Sequence, residues 1–391
     1  MTIIHITPSY KPAYLYGGPI HSIAKLCEEL TQLQESKINS KYQIKVLTTT
    51  ANGKTELNVK PGQQQFIDGV SVTYFKRLTK DHSHFSPALL LNLRREILNS
   101  SNDNILVHIH AWWNLTSIFS CFIAKWYNIP IVLSPRGMLT SYTFNNRNSF
   151  SKHIIHAILG KRLLKYCHIH TTSKKEKEDV LKIVEPKKII VIPNLVNIQA
   201  HKVNANEHSS TFKIIFLSRI EEKKGLELLF EALASLSFSW SLTIAGYGEK
   251  DYVQKLSEKA QKLNITENIT WVGQVSNEQK FDLLAAHDVF ALTSYNENFA
   301  NVVVESLSVG TAVLISNKVG LSDYIIDNNF GWIADLDAES ITQKINEAYE
   351  NIDLRHQVRQ KSPITIANDF EPRYLASSYL KLYNSLISNG N

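Results

Sequence analysis

Short apolar runs alternate along the chain with longer stretches whose apolar residues recur at helical spacing. In the first half the runs fall at 3–7, 42–48, 70–75, 105–110, 131–134, 169–172 and 189–192. Between several of them lie amphipathic segments at 20–32, 87–99, 116–127 and 174–183. Strands alternating with helices in this rhythm predict a doubly wound parallel sheet. Residues 193–210 hold Asn, His, Ser and Gln with little apolar periodicity and read as a linker. The rhythm then restarts, with strands expected at 214–218, 241–245, 269–272, 289–293 and 312–315 and helices at 225–234, 251–263, 277–286 and 301–308. A last amphipathic pattern covers 371–387. The reading is two Rossmann-like α/β domains, 1–195 and 205–370, facing each other across a cleft. A C-terminal helix at 371–388 is expected to pack back on the first domain.

The length of 391 residues supports this division, because single cores stop growing at roughly 250–300 residues. The three cysteines, Cys27, Cys121 and Cys167, are too far apart for a zinc pattern or a disulfide framework and read as reduced core residues. The start of the chain lacks a basic segment followed by an apolar one, so a cytoplasmic location is expected. The most apolar stretch, 118–127, is broken by Lys125 and falls short of the ~20 residues that span a bilayer.

Net charge is +6, unevenly spread: residues 1–200 carry +13 and the remainder −7. A basic half attracts anionic partners such as lipid headgroups, nucleic acid or phosphorylated substrates.

Ligands of open parallel sheets bind beyond the carboxyl ends of the strands, so residues that directly follow a predicted strand are the candidates. After the strand at 289–293 comes Ser294-Tyr295-Asn296-Glu297-Asn298-Phe299-Ala300-Asn301, then an apolar helix carrying Glu305. A loop entering a helix points backbone N–H groups and the positive end of the helix dipole at bound oxygens. Glu305, set among Val302, Val303, Val304 and Leu307, needs a partner, and ribose hydroxyls would supply one. After the strand at 214–218, Arg219 and Lys224 can converge on a diphosphate. In the first half, Gly17-Gly18 follows the first strand and would let backbone amides approach phosphates. His110 ends the strand at 105–110, with His108 on the same side of that strand, and Arg136 in the next strand-end loop could bind an acceptor phosphate or carboxylate. No Asp-x-Asp follows a strand, and no His/Cys group has ligand spacing, so no metal is expected.

The Glu297/Glu305 pair, the Arg219–Gly225 segment, Gly246-Tyr247-Gly248-Glu249 and Gly17-Gly18 together resemble glycosyltransferase family 4 over nearly the whole chain. Ile109-His110-Ala111-Trp112 and Ser134-Pro135-Arg136-Gly137-Met138-Leu139 narrow the resemblance to enzymes that build bacterial surface polysaccharides. The resemblance implies the GT-B fold and retaining, metal-independent transfer of a hexose-type sugar from a nucleotide diphosphate donor, UDP- or GDP-linked. It implies that Arg219 and Lys224 neutralise the diphosphate and that Glu305 binds the ribose. It also implies that Glu297 and His110 would lie at the transferred sugar, and that the backbone from Asn298 through Phe299, Ala300 and Asn301 to Val302, with Gly17, Gly18 and Gly246, would complete the donor site. Where many members have Glu-Gly-Phe-Pro this chain has Glu297-Asn298-Phe299-Ala300, which bears on sugar choice.

A saccharide or lipid-linked saccharide is the expected acceptor, in capsule, O-antigen or exopolysaccharide synthesis. Residues 147–170 mix Lys152, Lys161, Arg162 and Lys165 with apolar positions and would rest on anionic lipid at the inner face of the plasma membrane. A GT-B sugar-nucleotide epimerase and a nonenzymatic anion or nucleic-acid binder are the competing readings. The first would need no acceptor, and the second leaves the carboxylate pair and the acidic second half unexplained. No nucleic acid is expected as a partner.

Overall fold

The computed structural model describes residues 1–36, 42–100, 105–140, 142–143, 159–199 and 211–388. The basic segment expected at 147–170 lies outside the described residues as far as 158, and so do positions 200–210 of the expected linker. The chain forms two compact units, Met1–Leu195 with Pro372–Asn391, and Val196–Glu371.

Among the described residues the first unit has ten strands: β1 (Thr2–Thr7), β2 (Gln43–Thr49), β3 (Ala51–Asn52), β4 (Thr55–Glu56), β5 (Gln64–Ile67), β6 (Val70–Phe75), β7 (Ile105–His110), β8 (Ile131–Ser134), β9 (His168–Thr171) and β10 (Lys188–Val191). Eight form one sheet in the order β10-β9-β8-β7-β1-β2-β6-β5, while β3 and β4 pair as a separate ribbon. All neighbours in the large sheet are parallel except β5, which runs antiparallel to β6 at the edge. Every residue of β7 and β8 is buried, because a parallel sheet carries helices on both faces. On one face Ile4, Ile6, Val107 and Ile109 pack with Leu93 and Ile97 of helix Pro87–Asn99 and Ile118 of helix Leu115–Trp126. Helices Gly18–Ser36 and Pro372–Ser388 pack together over the other face. By the alternation of a strand, His5, His108 and His110 point to that second face.

Among the described residues the second unit is a six-stranded sheet of β11 (Phe212–Leu217), β12 (Trp240–Ala245), β13 (Ile269–Gly273), β14 (Val289–Leu292), β15 (Ala312–Ser316) and β16 (Gly331–Ala334), ordered β13-β12-β11-β14-β15-β16 and parallel throughout. Helix Ile352–Asp369 runs against helix Asn301–Ser308. It is fastened there by Ser362 Oγ, which donates to the Leu307 carbonyl at 2.7 Å. Among the described residues, no helix is long and apolar enough to cross a membrane.

Candidate active site

In the second unit the strand order reverses at β11, with β12 on one side and β14 on the other. That switch point is where the loops after two neighbouring strands part and leave a crevice. The loop after β11 runs from Ser218 to Gly225 and the loop after β14 from Thr293 to Ala300. They are stitched together by Tyr295 N–H donating to the Lys223 carbonyl at 2.9 Å and Thr293 Oγ donating to that of Gly225 at 2.8 Å. The fit at Gly225 admits only glycine: its φ is +67°, and a Cβ would stand 2.2 Å from the Thr293 carbonyl oxygen. A third loop joins from β12. There Gly246 has φ +146°, a Cβ would stand 1.8 Å from the Ser218 carbonyl oxygen, and Ile220 N–H donates to the Tyr247 carbonyl at 2.8 Å.

These loops bring the charged residues together. Buried Lys224 donates through Nζ to Oε2 of Glu297. The backbone of Glu297 is braced on the loop after β15, its N–H donating to Lys318 and its carbonyl accepting from Gly320 at 2.8 Å. Burial pushes the Glu297 carboxyl up, but Lys224, Lys223 and Arg219 outweigh it and hold it below the ordinary range. Burial also lowers Lys223, which Glu297 partly offsets. Arg219 is half exposed and sits 3.2 Å from Glu221 Oε1, so its fork can turn to a ligand at little cost.

Helix Asn301–Ser308 begins at Ala300, which takes the left-handed conformation with φ +62° and caps the helix without a side-chain bond. Phe299 and Ala300 are buried, Phe299 against Phe370. That leaves backbone as what this turn offers a ligand, together with the positive end of the helix. One turn further, buried Glu305 accepts from Nζ of Lys280 at 2.7 Å through Oε1. Its Oε2 bonds to no group of the protein among the described residues.

In the first unit the order reverses at β1, between β2 and β7. The register sets His5 opposite His108, and a histidine network fills the helix-covered face. His108 approaches the Tyr383 hydroxyl through Nδ1 and Ser134 Oγ through Nε2, both at 2.7 Å. Ser134 Oγ also meets His170 Nδ1 at 2.7 Å, and His170 Nε2 meets the Ile192 carbonyl at 2.8 Å. A carbonyl only accepts, so His170 carries its proton on Nε2 and takes the Ser134 proton at Nδ1. Ser134 then accepts from His108 Nε2–H, and Tyr383 donates to His108 Nδ1. His5 Nδ1 lies 3.0 Å from His110 Nε2, and Arg136 Nη2 lies 3.3 Å from His110 Nδ1.

Burial, reinforced by Arg136, lowers His5 to about 3, and burial lowers His170 to about 3 against the pull of the Ile192 carbonyl. Burial, with the neighbouring histidines and Arg136, sets His108 and His110 well below the usual range. Nitrogens of His5, His108 and His110 lie within 4.8 Å of one another. They are engaged with each other, with two hydroxyls and with a guanidinium, the pattern of a hydrogen-bond network with no vacant ligand position on His108 or His110.

A family model described as Glycosyltransferase Family 4 matches residues 16–200, and one described as Glycosyl transferases group 1 matches 197–364. The chain belongs to glycosyltransferase family 4. It is 28% identical over 173 residues to the lipopolysaccharide core biosynthesis glycosyltransferase LpsE of Rhizobium meliloti, covering 44% of this chain and 49% of that relative. It is 30% identical over 248 residues to the N-acetylgalactosamine-N,N'-diacetylbacillosaminyl-diphospho-undecaprenol 4-alpha-N-acetylgalactosaminyltransferase of Campylobacter jejuni, covering 61% of this chain and 65% of that one. The chain thus spans about half to two thirds of these relatives. The structure of Anabaena Alr3699/HepE in complex with UDP and glucose superposes with a TM-score of 0.71 at 16% identity, over 99% of this chain and 100% of that one. The fold is GT-B, as the family resemblance implied, built of the two Rossmann-like domains that the alternation of strands and helices predicted.

Within this family 4 chain, the second unit gathers Arg219, Lys224, Gly246, Glu297 and the turn Asn298–Val302 at one sheet end, with Glu305 one helical turn away. In the first unit Gly17 takes φ +71° and Gly18 opens helix Gly18–Ser36. His110 and Arg136 stand at neighbouring strand ends. Sequence reasoning missed Lys280, the partner that Glu305 requires. A lysine beside Phe281 and Leu284 on a helix with buried apolar positions was the available signal. It also missed the histidine network, which the parallel pairing of β1 and β7 assembles from residues about a hundred positions apart.

Proposed function

We propose that the chain is a retaining, metal-independent hexosyltransferase that moves a sugar from a nucleotide diphosphate donor to a lipid-linked saccharide in bacterial lipopolysaccharide or related surface-polysaccharide synthesis. One observation carries the reading: Lys224 and Glu297 are paired at the switch point of the second sheet, with Arg219 on the same loop and a helix N-terminus opposite. Breaking the bond from sugar to phosphate builds negative charge on the leaving diphosphate. Cations that bind this charge more strongly than the intact donor lower the barrier. Lys224 and Arg219 take that part, which a divalent cation plays in other transferases. Glu297 holds Lys224 before the donor arrives and then meets the transferred sugar, together with His110 and the backbone of Asn298–Val302. Gly17, Gly18 and Gly246 give the donor close access to backbone, and Glu305 takes the ribose through Oε2. The leaving phosphate oxygen accepts the acceptor's proton on the same face, so no protein nucleophile is required.

UDP is favoured over GDP as the nucleotide because the Anabaena structure holds UDP. The lipid-linked acceptor follows the printed name of the Campylobacter relative, and the lipopolysaccharide setting that of LpsE. The surplus of +13 over residues 1–200 favours work at an anionic membrane surface on the cytoplasmic side.

The test is calorimetric binding of UDP, GDP and ADP in the presence of EDTA, with wild type, Arg219→Ala and Glu305→Ala. Binding of one nucleotide, weakened at least tenfold in both variants, supports the donor site. Absence of nucleotide binding in wild type, or normal binding in both variants, overturns it.

A further inference from the structure

We propose that Arg136 is a positioning residue: it fixes His110 as the neutral tautomer protonated on Nε2 and ties that ring to the start of helix Gly18–Ser36. The guanidinium makes three bonds inside the first unit. Nη1 donates to Ser22 Oγ at 3.0 Å and to Asn194 Oδ1 at 2.9 Å, and Nη2 reaches His110 Nδ1 at 3.3 Å. These partners come from the helix that Gly18 opens, from the segment after β10 and from the end of β7. Arg136 therefore pins two strand-end loops and the donor-side helix to one planar group, and it does so from a backbone with φ +53°, uncommon for a residue with a Cβ.

The chemistry of the donors orders the protons. Arginine has no acceptor, so the contact with His110 requires a lone pair on Nδ1 and leaves the single ring proton on Nε2. That proton points to His5 Nδ1, 3.0 Å away, and the proton of His5 is then on Nε2. This Nε2 is buried and has no partner, so the chain of donors runs one way, from Arg136 through His110 to His5. Burial and the charge of Arg136 both disfavour a second proton on His110. The ring can accept a hydrogen bond from a sugar hydroxyl at Nδ1 when the guanidinium yields, and it cannot act there as a proton donor. Arg136 thereby acts through His110, and its Nη atoms are occupied inside the protein in place of an acceptor phosphate.

The tautomer is measured directly by nitrogen NMR of the full chain with ¹⁵N-labelled histidine, the His110 signals being assigned with His110→Gln. Wild type is expected to show His110 protonated on Nε2 alone at neutral pH. Arg136→Met should lose that single form, with kcat lowered on the order of 10²-fold, the cost of a misplaced ring, and with nucleotide affinity unchanged. Arg136→Lys, which restores one donor, should recover part of both. A wild-type ring protonated on Nδ1 overturns the proposal even if no variant folds. So does an Arg136→Met enzyme that keeps the tautomer and kcat, or one that raises only the KM of a saccharide acceptor. The kinetic arm rests on the transferase reading, whereas the NMR arm does not: failure of nucleotide binding with the tautomer intact would discard the transferase and leave the proton order standing.

Discussion

Acid should loosen the first unit before carboxylates begin to titrate. His5, His108, His110 and His170 are neutral in the fold, with His5 and His170 lowered to about 3 and the other two well below their ordinary value of 6.5. In the unfolded chain each titrates near 6.5. Between about pH 6.5 and 3 the unfolded state therefore binds more protons, and stability falls as pH falls. The contribution is fully present above pH 6.5. A histidine that stays neutral in the fold loses about 1 kcal/mol between pH 6.5 and 5.5, so four lose about 4 kcal/mol, a large part of the 5–15 kcal/mol that holds a typical domain. Hydrogen exchange read by mass spectrometry, corrected for the intrinsic pH dependence of exchange, reports the opening free energy of peptides over Thr2–Thr7 and Ile105–His110. A fall of about 4 kcal/mol is expected over that one pH unit. Opening energies that agree within about 1 kcal/mol at the two pH values would refute the argument, because they would mean that the network takes up protons without opening.

In the second unit, Lys224→Met removes the partner of Glu297 and one cation of the diphosphate site. UDP affinity should drop roughly 10- to 100-fold by calorimetry, the worth of a charge-assisted hydrogen bond. Lys280→Met strands the buried Glu305 carboxylate and should cost about 3 kcal/mol in denaturant unfolding. Glu305→Gln should narrow the preference for UDP over its 2′- and 3′-deoxy forms, measured by competition. Gly246→Ala forces a Cβ to within 1.8 Å of the Ser218 carbonyl oxygen, so the Arg219 loop must shift. Nucleotide binding should weaken and the melting temperature fall, the strain being on the order of 1–3 kcal/mol.

Much of the fold was legible because its central strands are buried on both faces and read as unbroken apolar runs, as in Ile105–His110 and Ile131–Ser134. The site loops were legible for a related reason, since each follows such a run and opens a patterned helix. Strand Gln64–Ile67 was not found because it lies antiparallel at an edge, where two glutamines and a largely exposed Phe66 replace the apolar pattern. Helix Ile352–Asp369 was missed because Pro363 interrupts it and its apolar residues form no clear stripe. Strand Gly331–Ala334 was missed because it begins with a glycine that a sequence pattern reads as a turn. The pairing of Glu305 with Lys280, and the meeting of His5 with His108 and His110, depend on which elements become neighbours. Periodicity along one element carries no information about that.

The first unit is not continuous in the chain, and this shapes the order of its birth. Tyr379 and Tyr383, which meet His170 and His108, belong to helix Pro372–Ser388. They leave the ribosome only after residues 196–371, which form the entire second unit. Until then the nascent sheet carries imidazoles whose nitrogens lack their tyrosine partners, on a face that its last helix has yet to cover. Synthesis of one domain thus sets a waiting time for the other, during which chaperones have an open surface to grip.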